Sequence, residues 1–125
     1  MAKVERFEEL TCWQNARHLA NTVCDLSAAA NFSRDYELRR QIRRAAGSTM
    51  HNIAEGFDCG SDAEFSRFLR MARRSASEVR SELYLALDRG YISEEQLHAS
   101  YQVANDLKRL INELIGYLHR SRPTS

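Results

Sequence analysis

The sequence predicts an all-α fold, an up-down-up-down antiparallel four-helix bundle. Three observations predict it. Apolar residues recur every three or four positions through four long segments. No stretch of useful length alternates in the manner of a half-buried strand. The only proline is Pro123, so nothing interrupts a helix before the tail, and Gly56, Gly60 and Gly90 stand where the apolar periodicity breaks. At 125 residues the chain makes one domain, 1–125, with a real core.

The first helix is expected near 11–29. Thr11-x-x-Gln14 has the form of a capping box, in which hydroxyl and amide each satisfy a free backbone N–H. Its inner positions are Cys12, Ala16, Leu19, Val23 and Leu26. The second helix, near 35–55, starts in SRDYE with Ser33 or Asp35 as its cap. Leu38, Ile42, Ala45, Thr49 and Ile53 form its buried stripe, and Gly56 suits the left-handed position after the last turn.

The third helix, near 62–89, opens with Ser61-x-x-Glu64, a second capping box. Phe65, Phe68, Leu69, Ala72, Ala76, Val79, Leu83 and Ala86 carry its core face, and Gly90 ends it. The fourth, near 94–119, opens with Ser93-x-x-Gln96 and buries Leu97, Ala104, Leu107, Ile111, Leu114, Ile115 and Leu118, leaving a tail at 120–125. Links of about four to seven residues favour antiparallel neighbours.

Two helices carry more apolar surface than one bundle needs. With Ile111 facing inward, Val103, Leu110 and Tyr117 lie roughly 80 to 120° away and repeat every seven residues, which widens the apolar arc beyond the ~100° a bundle helix requires. Trp13, Ala20 and Cys24 do the same on the first helix. The plain reading is partly exposed amphipathic aromatics. The sharper reading is a surface between subunits, with Trp13, Ala20, Val103, Leu110 and Tyr117 as the contact.

A polar row flanks the second helix: Gln41, Ser48, Asn52 and Glu55. The third helix carries a matching flank of Ser75, Glu78 and Glu82. Polar groups beside a core are costly unless paired, so the row is expected to hydrogen-bond across the two helices and set their register.

Net charge is only +1, which argues against a strongly basic nucleic-acid binder, but the charge is segregated. Sixteen of 18 basic residues are arginine, the exceptions being Lys3 and Lys108. From Arg39 to Arg80 nine arginines face five acids, a local excess of +4 against −3 for the rest. Arg67, Arg70 and Arg74 cluster outward on the third helix, Arg40 and Arg44 outward on the second, and Arg73 and Arg80 form a further row. Scattered pairs such as Glu37 with Arg40 or Glu64 with Arg67 are the bland account. Arginine's planar fork also suits phosphate, and a ring of subunits multiplies a modest field into contacts with RNA or DNA that read little sequence.

Other chemistry finds little support. Glu95-x-x-His98 has di-iron spacing but no second such pair. His51, Asp58 and Cys59 match no zinc pattern, so no metal or cofactor is expected. Ser48 and Ser75 have no evident His partner, and no phosphate loop or nucleophile elbow occurs, so no catalytic residue is assigned and the chain is read as no enzyme. Three cysteines without C-x-x-C spacing suggest reduced thiols, Cys12 and Cys24 as packing residues. No apolar run approaches the ~20 residues of a membrane span, and MAKVERFEEL holds no signal core, so a cytoplasmic protein is expected.

The blocks FEELTCWQNARHLA, LRRQIRRAAGSTMHNIAEG, EFSRFLRMARRSASEVRSEL and GYIS carry a resemblance. From Phe7 to about Leu118 the chain resembles the bacterial four-helix bundle proteins first described from intervening sequences of 23S ribosomal RNA genes, and it is similar to accessory proteins of diversity-generating retroelements. The resemblance implies a pentameric, barrel-like ring. For the retroelement branch it also implies a basic surface that binds nucleic acid and a reverse transcriptase as protein partner. The motif positions are Gln41, Arg44, Ala45, Ser48, Asn52, Glu55 and Gly56, with Ser75 and Glu78. Two departures stand out: Ser33 where the family often has proline, and an acidic loop, FDCGSDAE, where it often has a basic one. The reading is therefore a non-enzymatic homo-oligomer, with Arg40, Arg44, Arg67, Arg70, Arg73 and Arg74 as nucleic-acid contacts. The alternative is a protein-interaction scaffold whose arginines mainly serve subunit contacts.

Overall fold

The computed structural model describes residues 3–120. A 3-10 turn, Phe7–Glu9, leads into α1, Thr11–Ser27. Thr11 is the first residue of α1 and not its cap; that position belongs to Leu10, with no side-chain bond. The 3-10 turn has already folded the entering chain back, so the Gln14 amide donates instead to Glu8 O at 3.0 Å. The Glu9 carboxylate accepts from the N–H groups of Glu5 and Arg6 at 2.9 and 3.1 Å, which holds its pKa below the ordinary value.

α1 stops at Ser27, two residues short of expectation. The buried Ser27 hydroxyl donates to Val23 O at 2.7 Å and accepts from Arg43 Nε at 2.7 Å, while Arg43 Nη2 takes Cys24 O at 3.2 Å. A side chain from elsewhere thus occupies acceptors that a helix end leaves free. A short helix follows, α2, Ala30–Arg34, which the periodicity did not signal. Its role is to seat Phe32, wholly buried and stacked on Tyr91 with centroids 5.3 Å apart.

Helix α3, Tyr36–Asp58, is capped by Asp35, whose Oδ1 accepts from Leu38 N at 3.2 Å. The other oxygen, Oδ2, accepts from Arg89 Nη1 and from the Tyr91 hydroxyl, both at 2.8 Å. These bonds, the one from Tyr91 foremost, keep the Asp35 carboxyl below its ordinary pKa. Gly56 is not a left-handed terminator. It is helical and buried, and α3 runs two residues further. A Cβ there would stand 2.7 Å from Phe68 Cβ, so the glycine serves close approach of two helices, and Gly60, at φ +84, makes the turn.

Helix α4, Asp62–Asp88, is capped by Ser61, which accepts from Glu64 N at 3.2 Å. Gly90 (φ +76) turns the chain toward α5, Glu94–Arg120. Ser93 Oγ accepts from Gln96 N at 3.1 Å and Gln96 Oε1 accepts from Ser93 N at 2.9 Å, a reciprocal cap. Arg120, expected to open the tail at 120–125, is the last described residue of α5, and the rest of that tail lies outside the described residues.

The four long helices close a square in the order α1, α3, α4, α5, each packed on the next and α5 back on α1. The protein is thus an all-α bundle. Leu19, Leu38, Ile42, Ile53, Leu69, Leu83, Leu107 and Ile111 fill the centre with essentially no exposure. Buried alanines at 45, 46, 72 and 76 let α3 and α4 approach closely. Leu26, Phe68, Leu114 and Ile115, expected inside, are half-buried at the edges of their stripes. Cys12 is buried, which pushes its thiol up to about 11; Cys24, expected to pack, is exposed. No described helix is long and apolar enough to cross a membrane.

Candidate functional site

The α3–α4 seam brings three members of the polar row together, Ser48, Asn52 and Ser75. Ser48 Oγ and Ser75 Oγ lie 3.0 Å apart. Asn52 Nδ2 donates to Ser48 O and to Ser48 Oγ, both at 2.9 Å, so it braces the serine and does not itself reach α4. Gln41 Nε2 turns along its own helix to Glu37 Oε1 at 3.4 Å, the bond that replaces the expected Glu37–Arg40 pair. Glu55 and Glu78 are exposed.

Glu82 is the unusual member. It is 7% exposed, and its Oε1 is buried without a hydrogen-bond partner among the described residues. Burial, with the neighbouring Glu78 charge, pushes its carboxyl up to about 7, against the pull of Arg44. Like charge from α4 and opposite charge from α3 thus meet at one carboxyl group.

The arginines divide into three groups. On α3, Arg40 and Arg44 are exposed and Arg39 and Arg43 half-buried, and with Tyr36, 75% exposed, Glu37 and Gln41 they line one open face. On the outer side of α4, Arg70 and Arg74 are exposed without a hydrogen-bond or ion-pair partner among the described residues. Arg67, beside them, pairs with Glu64 at 3.0 Å and lies over the Phe68 ring at 4.7 Å. The third group faces α5: Arg73 Nη1 donates to Asn112 Oδ1 and Arg80 Nη1 to Asn105 Oδ1, each at 2.7 Å. Glu78 and Glu82 stand between the α3 arginines and those of α4, so the six expected contacts are not one continuous strip.

The apolar rows lie on two different seams. Arg43 grips the edge of α1 bearing Cys24 and Ser27, and helical spacing puts Ala20 on that edge, toward α3. Trp13, seven residues before Ala20, is half-buried against the Phe7 ring at 5.2 Å, with Arg17 5.9 Å from its centroid. Leu110 and Tyr117 instead line an open cleft of about 790 Å³ at the α3–α4 turn end, with Leu10, Phe57, Phe65 and Leu118. Trp13, Ala20, Val103 and Leu110 pack partly on the chain's own core, and Tyr117 stays 45% exposed. One copy therefore hides more of this surface than the arc of apolar positions suggested.

Other sequence candidates are dispersed. Glu95, His98, His51, Asp58 and Cys59 are all exposed, and no group of three or more metal-ligating side chains comes together among the described residues.

The family profile described as 23S rRNA-intervening sequence protein matches residues 8–113. The chain belongs to this family. A solved structure of a protein with unknown function from the S23 ribosomal protein family of Bacteroides thetaiotaomicron superposes on the intervening-sequence chain with a TM-score of 0.78. The two share 24% identity over 84% of this chain and 98% of that one, a likeness of fold. No curated protein is similar enough to count as a match.

In this intervening-sequence protein the matched span includes Ser48, Asn52, Ser75, Glu78 and Glu82 and all nine arginines from Arg39 to Arg80, and leaves out Tyr117. Sequence reasoning set Arg73 and Arg80 apart as a row but missed their partners on α5. Their signal was there: Asn105 and Asn112 repeat at seven, in step with Arg73 and Arg80.

Proposed function

We propose that this chain is a non-enzymatic, homo-oligomeric helical bundle, a pentamer, that binds RNA or other nucleic acid through its arginine-rich surface. One observation carries the reading. Of the nine arginines from Arg39 to Arg80, Arg67 alone forms an ion pair among the described residues. The bland account, in which a charged face cancels itself, therefore lacks its partners. Uncompensated guanidinium groups on a folded surface suit an anion brought from outside.

Self-association fits the placement of the apolar rows. A closed ring of more than two copies needs two different patches that meet head to tail. The α1 edge with Trp13 and Ala20 and the α5 edge with Val103, Leu110 and Tyr117 are such a pair, on separate seams. The seam serines bond to each other and to an amide, an arrangement suited to a joint between helices.

Binding to a labelled RNA at low salt tests the proposal. Affinity is expected to fall steeply with salt, and Arg70→Glu with Arg74→Glu to abolish it while sedimentation stays unchanged. Absence of binding by the unaltered protein to RNA and DNA at low salt overturns it. One observation favours the scaffold reading, with a protein partner such as a reverse transcriptase: the exposed acid Glu78 interrupts the positive surface between the arginines of α3 and those of α4. In that case the arginine reversals disrupt assembly instead.

A further inference from the structure

The groove between α4 and α5 holds three cations, Arg73, Arg80 and Lys108, that form no ion pair among the described residues. Arg73 and Arg80 are held by amide oxygens, those of Asn112 and Asn105, each at 2.7 Å. An amide aims a guanidinium without neutralising it, as an aspartate would. Lys108 stands beside them, and the two charges that bear on it, Arg80 and Arg73, are both positive; these and partial burial, the larger effect, hold its ammonium below the ordinary lysine pKa. Such an arrangement works against the fold unless something anionic settles on it.

The spacing says what kind of anion. Arg73 and Arg80 are seven residues apart on α4, roughly 10 Å along the axis, too far to share one phosphate. A ligand touching both carries a repeating charge. The Arg80 end adds aromatic surface. The Arg80 guanidinium lies 5.2 Å from the Tyr101 centroid, and Tyr101 meets Tyr84 edge to face at 5.8 Å. Tyr84 is 48% exposed, although a tyrosine in contact with a neighbouring helix has apolar area to hide. A row of cations ending in an open aromatic pair is the arrangement that holds backbone phosphates and stacks an unpaired base. A duplex keeps its base faces covered and gains nothing from the tyrosines.

We infer that the α4–α5 groove, built from Arg73, Arg80, Lys108, Tyr84 and Tyr101, is a site for single-stranded nucleic acid. This rests on the nucleic-acid reading above and narrows it, to one strand and to this face of the bundle.

The test is fluorescence anisotropy with a labelled single strand of roughly 20 nucleotides and its duplex, at low and moderate salt. The single strand is expected to bind at least tenfold more tightly than the duplex. Tyr84→Ala is expected to weaken single-strand binding about tenfold and Tyr84→Phe to restore it. Arg73→Gln with Lys108→Gln lowers the salt slope by about 1.4, two phosphate contacts' worth. A polyglutamate competitor at equal charge is expected to displace the strand poorly. Thermal melting confirms that each variant folds; Tyr84 is exposed enough for its substitution to be mild.

Equal affinity for the duplex overturns the inference, as does unchanged single-strand binding by both the Tyr84→Ala and the Arg73/Lys108 variants. If those variants bind normally while Arg70→Glu with Arg74→Glu does not, the broader proposal stands and this one falls. If the unaltered protein binds neither form, both fall. Effective displacement by polyglutamate makes the groove a site for acidic protein segments and overturns the assignment to nucleic acid.

Discussion

The Oγ atoms of Ser48 and Ser75 lie 3.0 Å apart and join α3 to α4 by a direct side-chain hydrogen bond. Asn52 donates twice to Ser48, once to its carbonyl and once to its hydroxyl. Replacing Asn52 with Leu leaves both acceptors short of a donor in a half-buried place. The expected loss is about 1–2 kcal/mol, read as a lower midpoint in urea unfolding. A midpoint equal to the parent's counts against this role.

Gly56 and Phe68 set the closest approach of the same two helices. A methyl group at Gly56 meets Phe68 Cβ at 2.7 Å and Phe65 Cδ1 at 3.0 Å, so the backbones must part. Gly56→Ala is expected to cost about 1–3 kcal/mol, although alanine is the better helix former. Differential scanning calorimetry tests this directly, and a rise in Tm contradicts it.

Glu82 gives the bundle a pH dependence of definite sign. Its carboxyl, ordinarily near 4.5, is pushed to about 7 in the fold. Between those values the folded chain keeps a proton that the unfolded chain has released, so stability falls as pH rises through that window and levels above it. Below it both states are protonated and the effect vanishes. Arg44 on α3 and Glu78 on α4 are the charges that bear on it. Allowing for partial solvation, the loss is about 1–3 kcal/mol by pH 8, and Glu82→Gln should flatten the profile. Melting curves from about pH 5 to 8 on both proteins decide the matter.

Assembly is testable from the α5 edge. Leu110→Asp with Tyr117→Asp places two charges where an apolar contact is proposed, and is expected to yield monomers that keep full helicity. Analytical ultracentrifugation and circular dichroism together check it. An oligomer of unchanged size refutes the contact.

The fold class was readable because four long stripes of apolar residues have a single helical period, broken at the turn glycines Gly60 and Gly90. Ile42, Ile53, Leu69 and Leu107 fall inside for that reason alone. What escaped depended on partners distant in sequence. The α2 turn exists because Phe32 finds Tyr91, and α1 ends where Arg43 reaches back to Ser27. Gly56 looked like a stop signal because glycine often is one; only the position of Phe68 shows that it is a packing residue. The amides facing Arg73 and Arg80 lie on another helix, and no single-segment pattern relates them.

Asp35 carries one further consequence. Its carboxylate both starts α3 and anchors Arg89 and Tyr91, which lead into α5. Its depressed pKa means that this contribution to stability is present above the usual carboxylate range and is lost as acid titrates the folded group. Acidification should then release the beginnings of α3 and α5 together, and their amide hydrogens should exchange with solvent as one cooperative unit while the opposite end of the molecule stays protected.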